Sequence, residues 1–198
     1  MTAHNSSNEI GKNVLVIGLG YVGLTFAIHC SEKGYNVYGI EINEHILNSL
    51  NSNRAHFLEP GIDDLIRKYK DKSFFCLDSV PENVEFDYVI ISVGTPYNKT
   101  NAYVDLRSME AALSSTANVI TDKTLVVLRS TVSVTTSRSF VYEKLKTFGV
   151  TSPKIAFCPE RTVEGKALIE LNTLPQIIGA LDDASMEMAE RFFSNISH

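Results

Sequence analysis

The sequence predicts a doubly wound α/β fold, a mostly parallel β-sheet with helices on both faces. Apolar, strand-length runs fall at residues 13–18, 36–41, 74–77, 88–93, 124–128, 154–158 and 176–179, with helix-like segments between them. The runs are continuously apolar rather than alternating, as in parallel strands covered on both sides. Between them, Asp105 caps a segment whose Leu106, Met109 and Leu113 share one helical face. Ser133 or Thr135 starts a second, with Phe140, Val141 and Leu145 inward and Gly149 as its stop. Asp182 starts the last, running to about residue 195, with Met186, Ala189 and Phe193 on one stripe.

The first run passes directly into Gly18-Leu19-Gly20-Tyr21-Val22-Gly23, the spacing G-x-G-x-x-G. A strand that turns sharply into a helix needs Gly18 for the turn and Gly23 for close helix–strand packing. Gly20 lets a pyrophosphate approach the backbone, where the free N–H groups of a helix N-terminus favour an anion. Glycines punctuate many turns, so the motif alone is weak evidence. The second run strengthens it by ending in Glu41, about twenty residues on, where a carboxylate accepts from a ribose 2′-OH and repels a 2′-phosphate. A Rossmann-type domain that binds NAD in preference to NADP is expected.

Composition excludes several classes. The 198 residues are 44% hydrophobic and 21% charged with net charge −5, which is ordinary for a globular domain and offers no basic surface for nucleic acid. Cys30, Cys76 and Cys158 are far apart, and neither they nor the five histidines show metal-ligand spacing. No metal is expected, and the cysteine usage suits a reduced, cytoplasmic compartment. Residues 1–8 are polar and lack a signal-peptide core, and no run approaches the ~18 apolar residues of a membrane span. A disordered tail is expected over residues 1–12, with one continuous domain over 13–198.

In doubly wound folds, ligands sit beyond the C-terminal ends of the strands. That rule selects three further motifs: Val93-Gly94-Thr95-Pro96, Arg129-Ser130-Thr131-Val132, and Cys158-Pro159-Glu160-Arg161-Thr162-Val163-Glu164-Gly165. Singly, each reads as a turn, a cap or a solvated face. Together with the glycine loop and Glu59-Pro60-Gly61, the set resembles the NAD-binding half of the UDP-glucose/GDP-mannose dehydrogenase family, over residues 12–198. The Cys-Pro-Glu-Arg version resembles the branch that oxidises UDP-N-acetylmannosamine or UDP-N-acetylglucosamine.

The resemblance implies an NAD-dependent oxidation of a sugar C6 alcohol to the uronic acid, for surface polysaccharide synthesis. An aldehyde-level intermediate and a cysteine thioester lie on that route. It implies cofactor contacts at Gly18, Gly20, Tyr21, Val22, Gly23, Glu41, Val93, Gly94, Thr95 and Thr131. Thr131 and Glu160 match positions that handle water and protons, so they are the expected catalytic pair. Arg161, Thr162 and Glu164 match the substrate-contacting segment. The family's thioester cysteine, its catalytic lysine, the central helix and the UDP-binding domain find no match in these 198 residues. Cys158 matches a strand-end position instead. The chain alone is therefore expected to be inactive, its partners being the UDP-sugar and, at full length, a second copy or more. Ser133 and Thr135 stand where the family often has Pro and Gly, and Ile46 where it often carries a base. A non-catalytic NAD-sensing module and a UDP-glucose 6-dehydrogenase remain alternatives. A β-hydroxyacid dehydrogenase fits the glycine loop but not the Glu160–Gly165 segment.

Overall fold

The structure is a computed structural model and describes residues 9–100 and 103–197. Six strands fall near the expected positions: β1 (Asn13–Ile17), β2 (Asn36–Ile40), β3 (Phe74–Leu77), β4 (Tyr88–Ile91) and, past a short hairpin, β7 (Leu125–Leu128) and β8 (Lys154–Phe157). The hairpin pairs β5 (Tyr97–Asn98) with β6 (Tyr103–Val104). The strand β9 (Gly179–Ala180) completes a seven-stranded sheet of order β3-β2-β1-β4-β7-β8-β9. All neighbours pair parallel except β9, which runs antiparallel to β8 at the edge. Consecutive strands step outward one way from β1 and then the other way from β4. The order reverses between those two strands, and that point is where this architecture opens a crevice.

Each parallel strand is buried on both faces because its neighbouring residues serve two cores. Val14 and Val16 of β1 join one, with Phe26 and Ile28 of α1 (Tyr21–Glu32), Ile66 of α3 (Ile62–Tyr69) and Phe192 of α7 (Asp183–Ile196). Leu15 and Ile17 join the other, with Met109 and Leu113 of α4 (Arg107–Ser115) and Leu145 of α5 (Glu143–Thr147). Burying each such aliphatic side chain contributes about 1.5–3 kcal/mol. Leu50 of α2 (Glu44–Asn51) and Leu171 of α6 (Ala167–Thr173) extend the first core.

Four expectations shift. Residues 1–8 and His198 lie outside the described residues, but residues 9–12, assigned to the tail, pack onto the sheet. Glu9 is buried and accepts from the Tyr88 hydroxyl (2.5 Å) and from Lys12 Nζ (2.7 Å), so an internal phenol gains its acceptor from this segment. The run 176–179 is not a parallel strand. Gln176 turns its amide toward Arg129, and only Gly179 and Ala180 reach β8. The helix expected from Ser133 or Thr135 starts later, as a π-helical stretch Ser137–Tyr142 that continues into α5. Thr135, at φ +77°, holds a left-handed conformation that interrupts the helix path. Finally, of the expected α7 stripe Ala189 and Phe193 are buried but Met186 is only half-buried, and Ser185, Phe192 and Ile196 complete the buried face. Asp182 caps that helix as expected, accepting from Ser185 N at 2.7 Å.

Candidate functional site

The glycine loop is held by backbone contacts that leave no room for side chains. Gly18 has φ +89°, and its N–H donates to the Ile40 carbonyl at 2.9 Å. A Cβ on Gly23 would lie 1.8 Å from the Gly18 carbonyl oxygen, so the helix start rests directly on the turn. Gly20 differs. It is the N-cap of α1, with no side-chain cap and no acid in the first turn, and a Cβ there would meet nothing within 4 Å. The first intrahelical bond is Leu24 N to Gly20 O, which leaves the N–H groups before it free for an anion.

The open side of Gly20 faces a cleft of about 1010 Å³ at the strand-order reversal. Its walls include Gly18, Gly20, Glu41, Val93 and Gly94, together with Arg107 and Ser108 of α4. Glu41 is buried, and its carboxylate accepts from Leu19 N and, through the other oxygen, from Ile42 N and Asn43 N, each at 2.9 Å. It therefore braces the glycine loop from the end of β2 while lining the cleft. An uncapped helix start, an open glycine and a buried carboxylate at the end of β2 are groups that could hold a dinucleotide, the helix start its phosphates and the carboxylate a sugar hydroxyl.

The strand ends continue this edge. Ser130 Oγ donates to the Val93 carbonyl at 2.7 Å, and Thr95 Oγ1 donates to the Thr131 carbonyl at 2.6 Å. Thr131 is exposed. Glu160 follows β8 and ion-pairs with Arg129 through the Arg129 Nη2, the two side chains being 0% and 8% exposed. Its other oxygen accepts from Arg161 N (2.7 Å) and Thr162 N (2.9 Å). Burial pushes the Glu160 carboxyl upward, but the Arg129 guanidinium and those two N–H groups outweigh it and hold it below the ordinary carboxylate value. The structure thus places Thr95, Thr131 and Glu160 along one edge with the glycine loop. Arg161 directs its guanidinium to the Pro175 carbonyl, Thr162 Oγ1 is buried without a hydrogen-bond partner, and Glu164 is exposed on the same segment.

A family model described as "UDP-glucose/GDP-mannose dehydrogenase family, NAD binding domain" matches residues 12–197. The chain belongs to this family. It is 33% identical to a UDP-N-acetyl-D-mannosamine dehydrogenase of Campylobacter jejuni, over 94% of this chain and 47% of that protein. An NDP-N-acetyl-D-galactosaminuronic acid dehydrogenase of Ralstonia nicotianae is 31% identical, over 92% of the chain and 45% of the relative. The solved UDP-N-acetyl-mannosamine dehydrogenase Cap5O of Staphylococcus aureus superposes with TM-score 0.86 at 26% identity, covering 94% of this chain and 46% of that one. The chain spans about half the length of the curated relatives it matches. The family's NAD-binding domain and the cleft geometry agree on the cofactor, NAD.

Three side chains at this edge, quoted only as motif members or backbone contacts in the sequence reading, gain partners that it did not foresee. Arg129 is 1% exposed, lies over the Phe26 ring (4.4 Å), and donates to Gln176 Oε1 (3.0 Å) and Cys158 Sγ (3.3 Å) as well as to Glu160. A cation closing an entirely apolar strand was the available signal, because such a charge needs a buried partner. Glu59 and the phenol of Tyr21 are the others, joined at 2.5 Å. Cys158 is buried, and burial pushes its thiol upward despite Arg129, so it suits a strand-end packing role and not a nucleophile. Cys30 is raised by burial as well, and Cys76 is pushed up to about 11 by the same cause.

Proposed function

We propose that this chain is the cofactor-binding half of an NAD-dependent nucleotide-sugar 6-dehydrogenase that converts the C6 alcohol of a UDP-N-acetylhexosamine to the uronic acid. UDP-N-acetylmannosamine and UDP-N-acetylglucosamine are the proposed substrates, and surface polysaccharide synthesis in the cytoplasm the proposed setting. A homodimer or higher assembly at full length belongs to the same reading. The observation that carries it is the meeting of the glycine loop, Thr95, Thr131 and Glu160 along one sheet edge in a member of this family.

Bound NAD would supply the hydride acceptor. The protein's part is placement. The free N–H groups of Tyr21 and Val22 would hold the pyrophosphate, Glu41 the adenosine ribose, and the Val93–Thr95 turn with Thr131 the nicotinamide side. Glu160, kept ionised by Arg129, is suited to accept a hydrogen bond from water and orient it toward an acyl carbon. A carboxylate so firmly paired is a weaker proton acceptor than an unpaired one, so its contribution lies in orientation and charge more than in proton capture. Thr131 offers a hydroxyl to the same water. Arg161, Thr162 and Glu164 would face the sugar nucleotide, and the partnerless Thr162 hydroxyl is a ready donor for a sugar oxygen. The resemblance places the thioester cysteine and the lysine in motifs that do not match this segment.

Calorimetric titration of NAD and NADP, followed by NADH formation assays at the gene product's full natural length, tests the reading. Saturable NAD binding with weaker NADP binding is expected, with turnover on UDP-N-acetylhexosamines exceeding that on UDP-glucose. Turnover confined to UDP-glucose would replace the substrate assignment. NAD binding without turnover of any UDP-sugar would favour a sensing module.

A further inference from the structure

Tyr21, the first residue of α1, faces two ways. Its backbone N–H belongs to the uncapped first turn beside Gly20. Its phenol donates to Glu59 Oε2 at 2.5 Å and accepts from Gly165 N at 3.0 Å, and its ring packs on Phe57 with centroids 4.7 Å apart. Glu59 is buried, and its carboxylate also accepts from Gly165 N (2.8 Å) and Leu168 N (3.2 Å). Three segments distant in sequence therefore meet at one carboxylate: the helix start after the glycine loop, the turn carrying Phe57 and Glu59, and residues 163–168. Two of the three groups that donate to Glu59 are N–H groups of that last segment. Any displacement of it would strip a buried carboxylate of partners, at considerable cost. The near end of the same segment has its own anchor, the Arg129–Glu160 pair. Between the two anchored carboxylates lie Arg161, Val163, Glu164 and the partnerless Thr162 hydroxyl.

We propose that Tyr21 and Glu59 form a positioning clasp that couples occupancy of the glycine loop to the placement of residues 163–168, so that dinucleotide binding orders the sugar-facing segment. The proposal rests on the assignment of the glycine loop to the pyrophosphate and of residues 161–164 to the sugar nucleotide. The physical route is short. An anion drawn to the first-turn N–H groups fixes the Tyr21 backbone, and with it the phenol that Glu59 and Gly165 share. Burial, and next the Glu59 carboxylate, push that phenol up to about 12, so it remains a donor throughout the neutral range. Both side chains act through others, while the Tyr21 backbone N–H alone would meet the dinucleotide. They position the segment and touch neither reacting atom.

Amide hydrogen exchange on the 198-residue chain, with and without NAD, tests the coupling in wild type, Tyr21→Phe and Glu59→Gln. NAD should slow exchange at residues 18–22 in all three proteins. In wild type alone it should also slow Gly165 and Leu168, by about fivefold or more, the range of ordinary site-to-site coupling. By reciprocity, each variant should bind NAD more weakly by about the same factor. Glu59→Gln keeps the side-chain shape and carries the test should Tyr21→Phe fail to fold. Unchanged exchange at Gly165 and Leu168 in NAD-bound wild type would overturn the clasp, as would equal slowing in the variants. Absence of slowing at residues 18–22 as well would overturn the pyrophosphate assignment beneath it.

Discussion

The cofactor cleft and the segment beyond β8 lie on the same sheet edge but are built from different materials. Around Gly18–Gly23 the working groups are backbone: free N–H donors, a carbonyl in van der Waals contact with Gly23, and an open face at Gly20. Around Glu160–Leu168 they are side chains already committed to one another, with Arg129, Glu160, Tyr21 and Glu59 each holding internal partners. The first region keeps donors in reserve for a ligand. The second spends its polar groups on fixing a shape, leaving Thr162 Oγ1 as a buried hydroxyl without a partner. Backbone donors suit a ligand that presents phosphate in one fixed geometry. Side-chain frameworks suit the part of a site that must differ between substrates.

The largest break in that contrast should come from Arg129→Met, which leaves the buried Glu160 charge unpaired. A loss of about 3–5 kcal/mol at neutral pH is expected in denaturant titration. In wild type the Glu160 pKa is lowered on folding, so its stabilisation is complete above the unfolded carboxylate value of about 4.3 and disappears as pH falls through the lower folded one. The gap between variant and wild type should therefore narrow on acidification; a gap independent of pH would separate Glu160 from Arg129.

Gly23→Ala attacks the backbone-built region. Its Cβ would meet Gly18 O at 1.8 Å, so the turn must move. About 3 kcal/mol of destabilisation in thermal unfolding is expected, together with loss of NAD titration heat. Glu41→Ala should leave the fold intact but weaken NAD about tenfold and narrow its advantage over NADP, because charged hydrogen bonds of about 1.5 kcal/mol or more are removed. Equal loss for both dinucleotides in calorimetry would reduce Glu41 to a brace for Leu19 N. Asp182→Ala lies outside both regions and provides the scale: losing its cap to Ser185 N should cost about 1 kcal/mol without altering NAD binding.

These two regions were not equally visible before the structure. Gly18, Gly20, Gly23 and Glu41 announce themselves by spacing, since the constraint that selects each residue is local: a left-handed φ, a contact one helical turn away, a strand end. Asp182 and Gly149 are legible for the same reason, and Gly149 does adopt φ +89°. The run 176–179 misleads because an edge segment can satisfy its apolar residues by packing without extending the sheet. Thr135 misleads because a left-handed threonine is set by its surroundings, against its own preference.

By itself, the sequence determined the layered fold, the glycine turn between β1 and α1 and the family, because strand burial on two faces and a glycine-bound helix start each leave a periodic, short-range trace. Only the tertiary structure decided that Arg129 pairs with Glu160, that Glu59 gathers Tyr21, Gly165 and Leu168, and that Glu9 serves Tyr88. Those contacts join residues 31 to 109 positions apart. A buried charge must find a partner, but nothing local in the chain says which one, and the folded sheet edge makes that choice.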